Sequence, residues 1–469
     1  MGQLEHTLAE FVTGLRLPSV PAETQRVVRR VVLAVAGTAF AGAEEDGVLA
    51  LRELLLDAGG AAQATVLVYG NRLPATAAAQ LNATMCRALD FCDAMAPGPH
   101  IGAALFPAAL AAAELAGGCS GEEFLTALVA GAELSSRFNL SEAQYDGFDP
   151  TGIVVVFSAA AAASRILGLT TEQTLHALAL AFNRCGGSFQ SHVDGSLGVR
   201  IVQGWVAQAG VQCAQMAQRG ITGPDNFLSG HYGFAHLYGR GTLDPESVTR
   251  GLGETWKVAN VVFKKYPSCG VTQGVTELAL GLVSELGLRP ADVRSAEVRL
   301  PPYAHRLVGH AFRIGANPRV DAQFNAGYCV ANALVRQASL LEHFAPAQVH
   351  DPVVRDMIGR IRVIADERLD ARGHAAVDLA VTTNDGRTHR RGLDIPPGFP
   401  GNELSDAQHQ ARFRDCLAYA PHPPSAAQSE QFLQALDGIA ALPDVRALLP
   451  MLIVRDQKPA SSSSISRPT

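Results

Sequence analysis

The chain has 469 residues, 48% of them hydrophobic and 17% charged, with a formal net charge of −6. That length exceeds what one hydrophobic core serves, so two domains are expected. No run of about 18 apolar residues marks a membrane span, and no Lys/Arg block marks a nucleic-acid partner.

The opening MGQLEHTLAEFV carries acidic residues and no basic stretch, so a secretory signal is not expected there. The eight cysteines (86, 92, 119, 185, 213, 269, 329 and 416) are scattered and show no zinc-type spacing. They read as reduced, buried thiols of a cytoplasmic protein, and no metal site is expected.

In chain order, helices are predicted over 3–16, 21–42 and 47–58, then a short β-like piece over 64–73. Helices follow over 74–89, 102–117, 121–139, 152–167, 171–185 and 199–219, with a polar loop at 186–197. This Ala-rich text reads as one helical domain, since small residues let helix axes approach closely. Beyond Phe263 the periodicity turns to two. Strands are predicted over 293–301 and 360–367, and a hairpin over 375–394 around Asn384-Asp385-Gly386. Helices over 271–286, 321–336 and 351–359 alternate with them.

The segment PPGFPGNEL (396–404) reads as a linker with a hinge at 396–401, followed by helices over 405–419 and 426–441. The expected organisation is therefore mainly α. A helical domain spans 1–263 and 399–455, a smaller α+β lid domain at 264–398 is inserted before the C-terminal helices, and 456–469 is a disordered tail.

The most informative stretch is CRALDFCDAMAPGPHIGAALFPAALAAAELA, from Cys86 to Ala116. A helix ends in Asp90 and Asp93, a Pro/Gly turn follows, and His100 precedes a second apolar helix. Charged groups set into such an apolar frame point to chemistry.

Together with GFDPTGIVVVFSAAAAASRILGL, GPDNFLSGHYGF, FKKYPSCG and GNELSDAQHQARFRDC, this stretch resembles the MmgE/PrpD family. That family includes 2-methylcitrate dehydratase, cis-aconitate decarboxylase and iminodisuccinate epimerase. The resemblance implies a large helical domain with an α+β lid, and a cofactor-independent homodimer acting on small di- or tricarboxylic acids. It places Asp90, His100 and Lys264 in the catalytic site. Tyr303 lies near a lid tyrosine of the decarboxylases. Three positions depart from the family pattern: Ala94 where a threonine is usual, Asp149 in place of the histidine of GFHPT, and Val199 in place of a lysine, with Arg200 beside it.

The family reactions share a carbanion or enolate formed beside a carboxylate, which needs a base near neutrality and cations for carboxylates. His100 suits the base, Asp90 could orient it, Lys264 could pair with a substrate carboxylate or give a proton, and Arg200 could clamp a carboxylate. Asp149 also fits a plain helix N-cap before Pro150. His192 is a cleft-loop candidate, Asp93 reads as a helix-end hydrogen-bonder, and Cys269 lacks an evident base for nucleophilic work.

The leading expectation is a lyase of the 2-methylcitrate dehydratase type. The alternatives are an iminodisuccinate epimerase-like isomerase, a cis-aconitate-type decarboxylase, and an inactive member that only binds. The short HIGA turn leans toward the decarboxylase or epimerase branch, and Asp149 with Val199 toward a substrate with fewer carboxylates or with an amine.

Overall fold

The computed structural model describes residues 2–454, and the tail expected at 456–469 lies outside them. The Ala-rich text forms the helices Gln3–Gly14, Ala22–Ala41, Val48–Ala58, Ala75–Arg87, Gly102–Leu115, Gly121–Phe138, Pro150–Ile166, Thr171–Phe182 and Gly198–Gln218. Several starts carry side-chain caps. Ser120, Asp149 and Thr170 each accept a hydrogen bond from the backbone N–H three residues on. Gly102–Leu115 and Pro150–Ile166 are buried nearly all round, which puts them at the centre with the amphipathic helices around them.

One apolar core joins these helices to the C-terminal Asp406–Tyr419 and Ala426–Asp437, through Phe413, Leu417, Phe432 and Leu436. A second, smaller core includes Val275, Leu282, Val298, Tyr328, Phe344 and Leu379. It is built from the helices Gln273–Leu286 and Ala326–Arg336 and a four-stranded sheet. After the short strands β1 (Ala64–Thr65), β2 (Arg72–Leu73), β3 (Asp93–Met95) and β4 (Val261–Phe263), that sheet holds β5 (Val293–Leu300), β6 (Ile361–Ala365), β7 (Val377–Thr383) and β8 (Thr388–Leu393). The order is β6-β5-β7-β8, with β5 and β6 parallel and the other neighbours antiparallel. Strand β7 alternates buried and half-buried residues, the period of two seen in the sequence. The protein is mainly α, with a smaller α+β part before the last helices.

The differences from the sequence reading are local. The helix expected over 321–336 is two, Pro318–Gln323 and Ala326–Arg336, because Asn325 leaves helical geometry and caps the second at Tyr328 N. The β-like piece at 64–73 reduces to the paired ends β1 and β2. The loop at 186–197 carries one helical turn, Gln190–Val193.

The difference that matters most is an unforeseen ladder. Strand β3 pairs antiparallel with β4, Asp93 opposite Phe263, which carries the turn after the Ala75–Arg87 helix to the loop holding Lys264. The Pro/Gly segment after β8 is fastened to the same place. Phe263 N donates to Gly398 O at 2.9 Å. Gly398 has φ +85°, and a Cβ there would lie 1.8 Å from Phe263 O, so only glycine fits.

Candidate active site

A cavity lies where the helical core meets the α+β part, the kind of junction at which small-molecule sites form. Its charged corner starts at the end of the Ala75–Arg87 helix. Asp90 takes a left-handed backbone (φ 51°), and its N–H closes the turn on Arg87 O at 3.1 Å. The carboxylate thereby folds back to a short hydrogen bond with Arg87 Nη1. Lys264 Nζ reaches across from beyond β4. It lies 2.8 Å from Asp90 Oδ2, poorly directed for a hydrogen bond, and donates to Asp90 O at 2.8 Å. Asp90, Arg87 and Lys264 are 3%, 2% and 1% exposed, so the three charges meet in a medium that screens little. Burial by itself would raise the Asp90 carboxyl. Arg87, then Lys264 and His100, reverse this and hold it well below the usual carboxylate range.

Asp93, three residues on, does a different job. Its carboxylate accepts from Ile101 N at 3.1 Å and Gly102 N at 3.0 Å, closing the N-terminus of the Gly102–Leu115 helix. A Cβ at Gly102 would sit 2.5 Å from Asp93 Oδ1, so the glycine admits the carboxylate. Burial raises the Asp93 carboxyl, against the opposing N–H groups of Gly102 and Ile101. Asp93 is the helix-end hydrogen-bonder that its position implied.

His100 is positioned by three hydrogen-bond contacts. Its N–H donates to Thr151 Oγ1 (3.0 Å), its carbonyl accepts from Gln203 Nε2 (2.9 Å), and its Nδ1 lies 2.7 Å from Asp93 O. A carbonyl only accepts, so Nδ1 carries the proton and Nε2 keeps its lone pair. Nε2 is the nitrogen turned to Asp90, 3.8 Å from Oδ1. Burial, then Arg87 and Lys264, push the imidazole well below its ordinary value, only partly opposed by Asp90 and the Asp93 carbonyl. His100 is thus a neutral base of defined tautomer, with two cations alongside.

The remaining candidates divide. Asp149 lines the cavity while capping the Pro150–Ile166 helix at Gly152 N, 3.1 Å. His192 also lines it, stacked on Phe189 at 4.2 Å and edge-on to Phe324 at 5.3 Å; burial pushes it down to about 4, and its Nδ1 has no partner. Tyr303 lines the opposite wall, 5.0 Å from the His374 ring. Burial, then Glu142, hold its hydroxyl well above its ordinary value. Cys269 is in the wall too, its thiol pushed up to about 11 by burial and therefore protonated.

Arg200 is not in the cavity. Its Nη1 donates to Asp46 O at 2.7 Å and its Nη2 lies 3.7 Å from Glu45, while Val199 faces the cavity in its place. Successive helical residues point about 100° apart, and here that step turns Arg200 away from the wall that Val199 joins.

Among the lining residues that the sequence reading did not single out are Arg87, Gln203 and His374, the last bonded to Glu142 through Nδ1. For Arg87 a signal existed, the single cation at the end of a helix otherwise made of small and neutral residues. Among the described residues no group of three His, Cys, Asp or Glu side chains is placed to hold a metal ion, and no helix is long and apolar enough to cross a membrane.

Comparison with known proteins defines the class. Residues 6–246 match the MmgE/PrpD N-terminal domain and residues 266–437 the MmgE/PrpD C-terminal domain. The chain belongs to the MmgE/PrpD family. Among curated relatives, it is 27% identical to the cis-aconitate decarboxylase-like protein oryM of Aspergillus oryzae, over 85% of this chain and 87% of the relative. It is 26% identical to the cis-aconitate decarboxylase of Homo sapiens, over 73% of each chain. The cis-aconitate decarboxylase of Aspergillus terreus is 25% identical, over 71% of this chain and 73% of its own.

Proposed function

We propose that the protein is a cofactor-independent lyase of the dehydratase or decarboxylase type, acting on a small carboxylic acid through proton transfer beside a carboxylate. The observation that carries this reading is His100: a buried neutral imidazole, its Nδ1–H held on Asp93 O and its Nε2 turned to a corner with two cations. In a dehydration, Nε2 takes the proton α to the carboxylate, the enolate charge grows beside Arg87 and Lys264, and as the electron pair expels the β-hydroxyl the His100 imidazolium gives that proton to the departing oxygen, so that water leaves. In a decarboxylation, the bond to the departing carboxylate breaks, CO2 leaves, and the electron pair left on carbon takes a proton from the Lys264 ammonium, which solvent then restores. Asp90 orients the two cations and Tyr303 covers the far side.

The dehydratase form was the leading expectation from the sequence; the names of the curated relatives favour the decarboxylase form. In the same reading residues 264–398 act as a lid on the helical domain 1–263 and 399–455, and the active form is a cytoplasmic homodimer, which sedimentation of the pure protein would check.

The deciding experiment is solvent deuterium incorporation followed by NMR, with citrate, 2-methylcitrate, cis-aconitate and iminodisuccinate-like acids, for wild type and His100→Gln. Exchange at carbon that is lost in the variant supports the reading. Released CO2, released water or an unchanged formula then separates decarboxylase, dehydratase and isomerase. Exchange of equal rate in both proteins would sink His100 as the base, and tight binding without exchange would favour a binding protein.

A further inference from the structure

The cavity wall carries a charge inventory that limits what it can hold. Among the described residues its only Lys or Arg side chains are Arg87 and Lys264, and both already face Asp90. Its carboxylates are Asp90 and Asp149. Two positive and two negative groups leave no net positive charge, and His100 and His192 are held neutral by burial. A carboxylate brought into a dry cavity needs a cation or several N–H donors to replace its water. The Arg87–Lys264 corner can serve one. A second or third carboxylate would find no further Lys or Arg among the described lining residues.

Much of the wall is apolar. Val199 and Val202 stand on one face of the Gly198–Gln218 helix, and Val262, Val271, Leu307 and Phe324 add to it. Residues three and four apart share a helix face, so Gln203 belongs to the same side. Gln203 is 1% exposed, and its amide orientation is settled because Nε2 donates to His100 O. Its Oε1 is left buried with no partner, in a residue that lines the cavity. An unpartnered buried acceptor is costly unless a ligand donor meets it.

We infer that the substrate bears a single carboxylate at the Arg87–Lys264 corner, an apolar substituent against Val199, Val202 and Phe324, and a neutral donor such as a hydroxyl facing Gln203. This rests on the carboxylic-acid lyase reading and narrows it. A hydroxyl at that place lies beside His100, whose carbonyl the same Gln203 amide holds.

The test is a ladder of acids of similar length titrated calorimetrically into the full protein, with NMR of each mixture to register any turnover: tricarballylate, glutarate, pentanoate and 3-hydroxypentanoate. Pentanoate is expected to bind about tenfold or more tighter than glutarate or tricarballylate, since a misplaced buried charge outweighs a methyl contact. The hydroxyl of 3-hydroxypentanoate should add a further gain of about threefold or more that Gln203→Leu removes. Val199→Lys places a cation in the apolar wall and should reverse the ladder in favour of glutarate.

The wild-type ladder decides the matter even if that variant does not fold. Tightest binding by tricarballylate or glutarate would overturn this inference and leave the lyase reading standing. Binding by none of the four acids would overturn both.

Discussion

Two of the buried ion-paired corners among the described residues are built differently. In the first, Glu133 and Arg137 meet at 2.6 Å with no exposure of either side chain. Arg137 spends its remaining N–H groups on the carbonyls of Val248, Arg250, Gly251 and Thr255, while Glu133 accepts from Lys257 N and Val258 N. Nothing is left over. That corner ties the Gly121–Phe138 helix to the irregular chain before β4. In the second, Arg87 makes one side-chain hydrogen bond, to Asp90, and Lys264 makes one, to the Asp90 carbonyl, and all three residues line a cavity. What separates the two corners is saturation, not burial: the first uses its donors internally, whereas the second keeps some uncommitted.

The comparison is broken most sharply at His100. His100→Gln is expected to lower turnover by about 10²–10⁴-fold while changing unfolding stability little, as read by steady-state kinetics and urea titration of one preparation. Next is the saturated corner. Arg137→Met strands the Glu133 carboxylate and should cost about 3–5 kcal/mol of unfolding free energy, with turnover per folded molecule unchanged. If turnover falls in step, the two corners are coupled and the contrast fails.

Asp93→Ala removes the acceptor for two helix N–H groups and should cost about 1–2 kcal/mol in the urea midpoint. The rate effect should be smaller than that of His100→Gln, because the backbone carbonyl that holds His100 Nδ1 remains.

The smallest effect is the pH slope. His100 and His192 have depressed values in the folded chain, so below about pH 6.5 the unfolded chain binds more protons. Stability from these residues is therefore complete above that pH and declines as pH falls through it, toward about 4 for His192. Asp90 behaves as a depressed carboxylate; its contribution is present above about pH 4 and is lost on further acidification. His192→Phe keeps the stack on Phe189 and should flatten the slope between pH 6.5 and 4 by at most about 1.4 kcal/mol per unit, in urea midpoints measured across that range. For the same reason kcat/KM should show no acidic fall at pH 6.5, where an ordinary imidazole base would begin to lose activity.

The helical architecture was legible because apolar spacing and capping residues agree over long segments, as at Ser120, Asp149 and Thr170. The motif residues Asp90, His100 and Lys264 were legible for their setting, and the structure brings all three to one cavity. What was not legible is geometry beyond neighbours in the chain. Arg200 was the nearest cation to Val199 in sequence, yet one helical step turns it to the Glu45–Asp46 loop. Arg87 was not singled out, and the left-handed turn at Asp90 is what reveals its partner. Strands β3 and β4 are too short to leave a periodic signal.

That short ladder also dictates when the protein becomes competent. Asp90 and Lys264 are 174 positions apart, and their meeting closes a loop of chain whose ordering entropy falls due before the contact gives anything back. A ribosome must have released Lys264, and then Tyr303 and His374, before the cavity is complete. Under the proposed function partial chains are therefore inert, and the onset of turnover during synthesis or refolding is a clock for completed assembly, later than the appearance of helical signal.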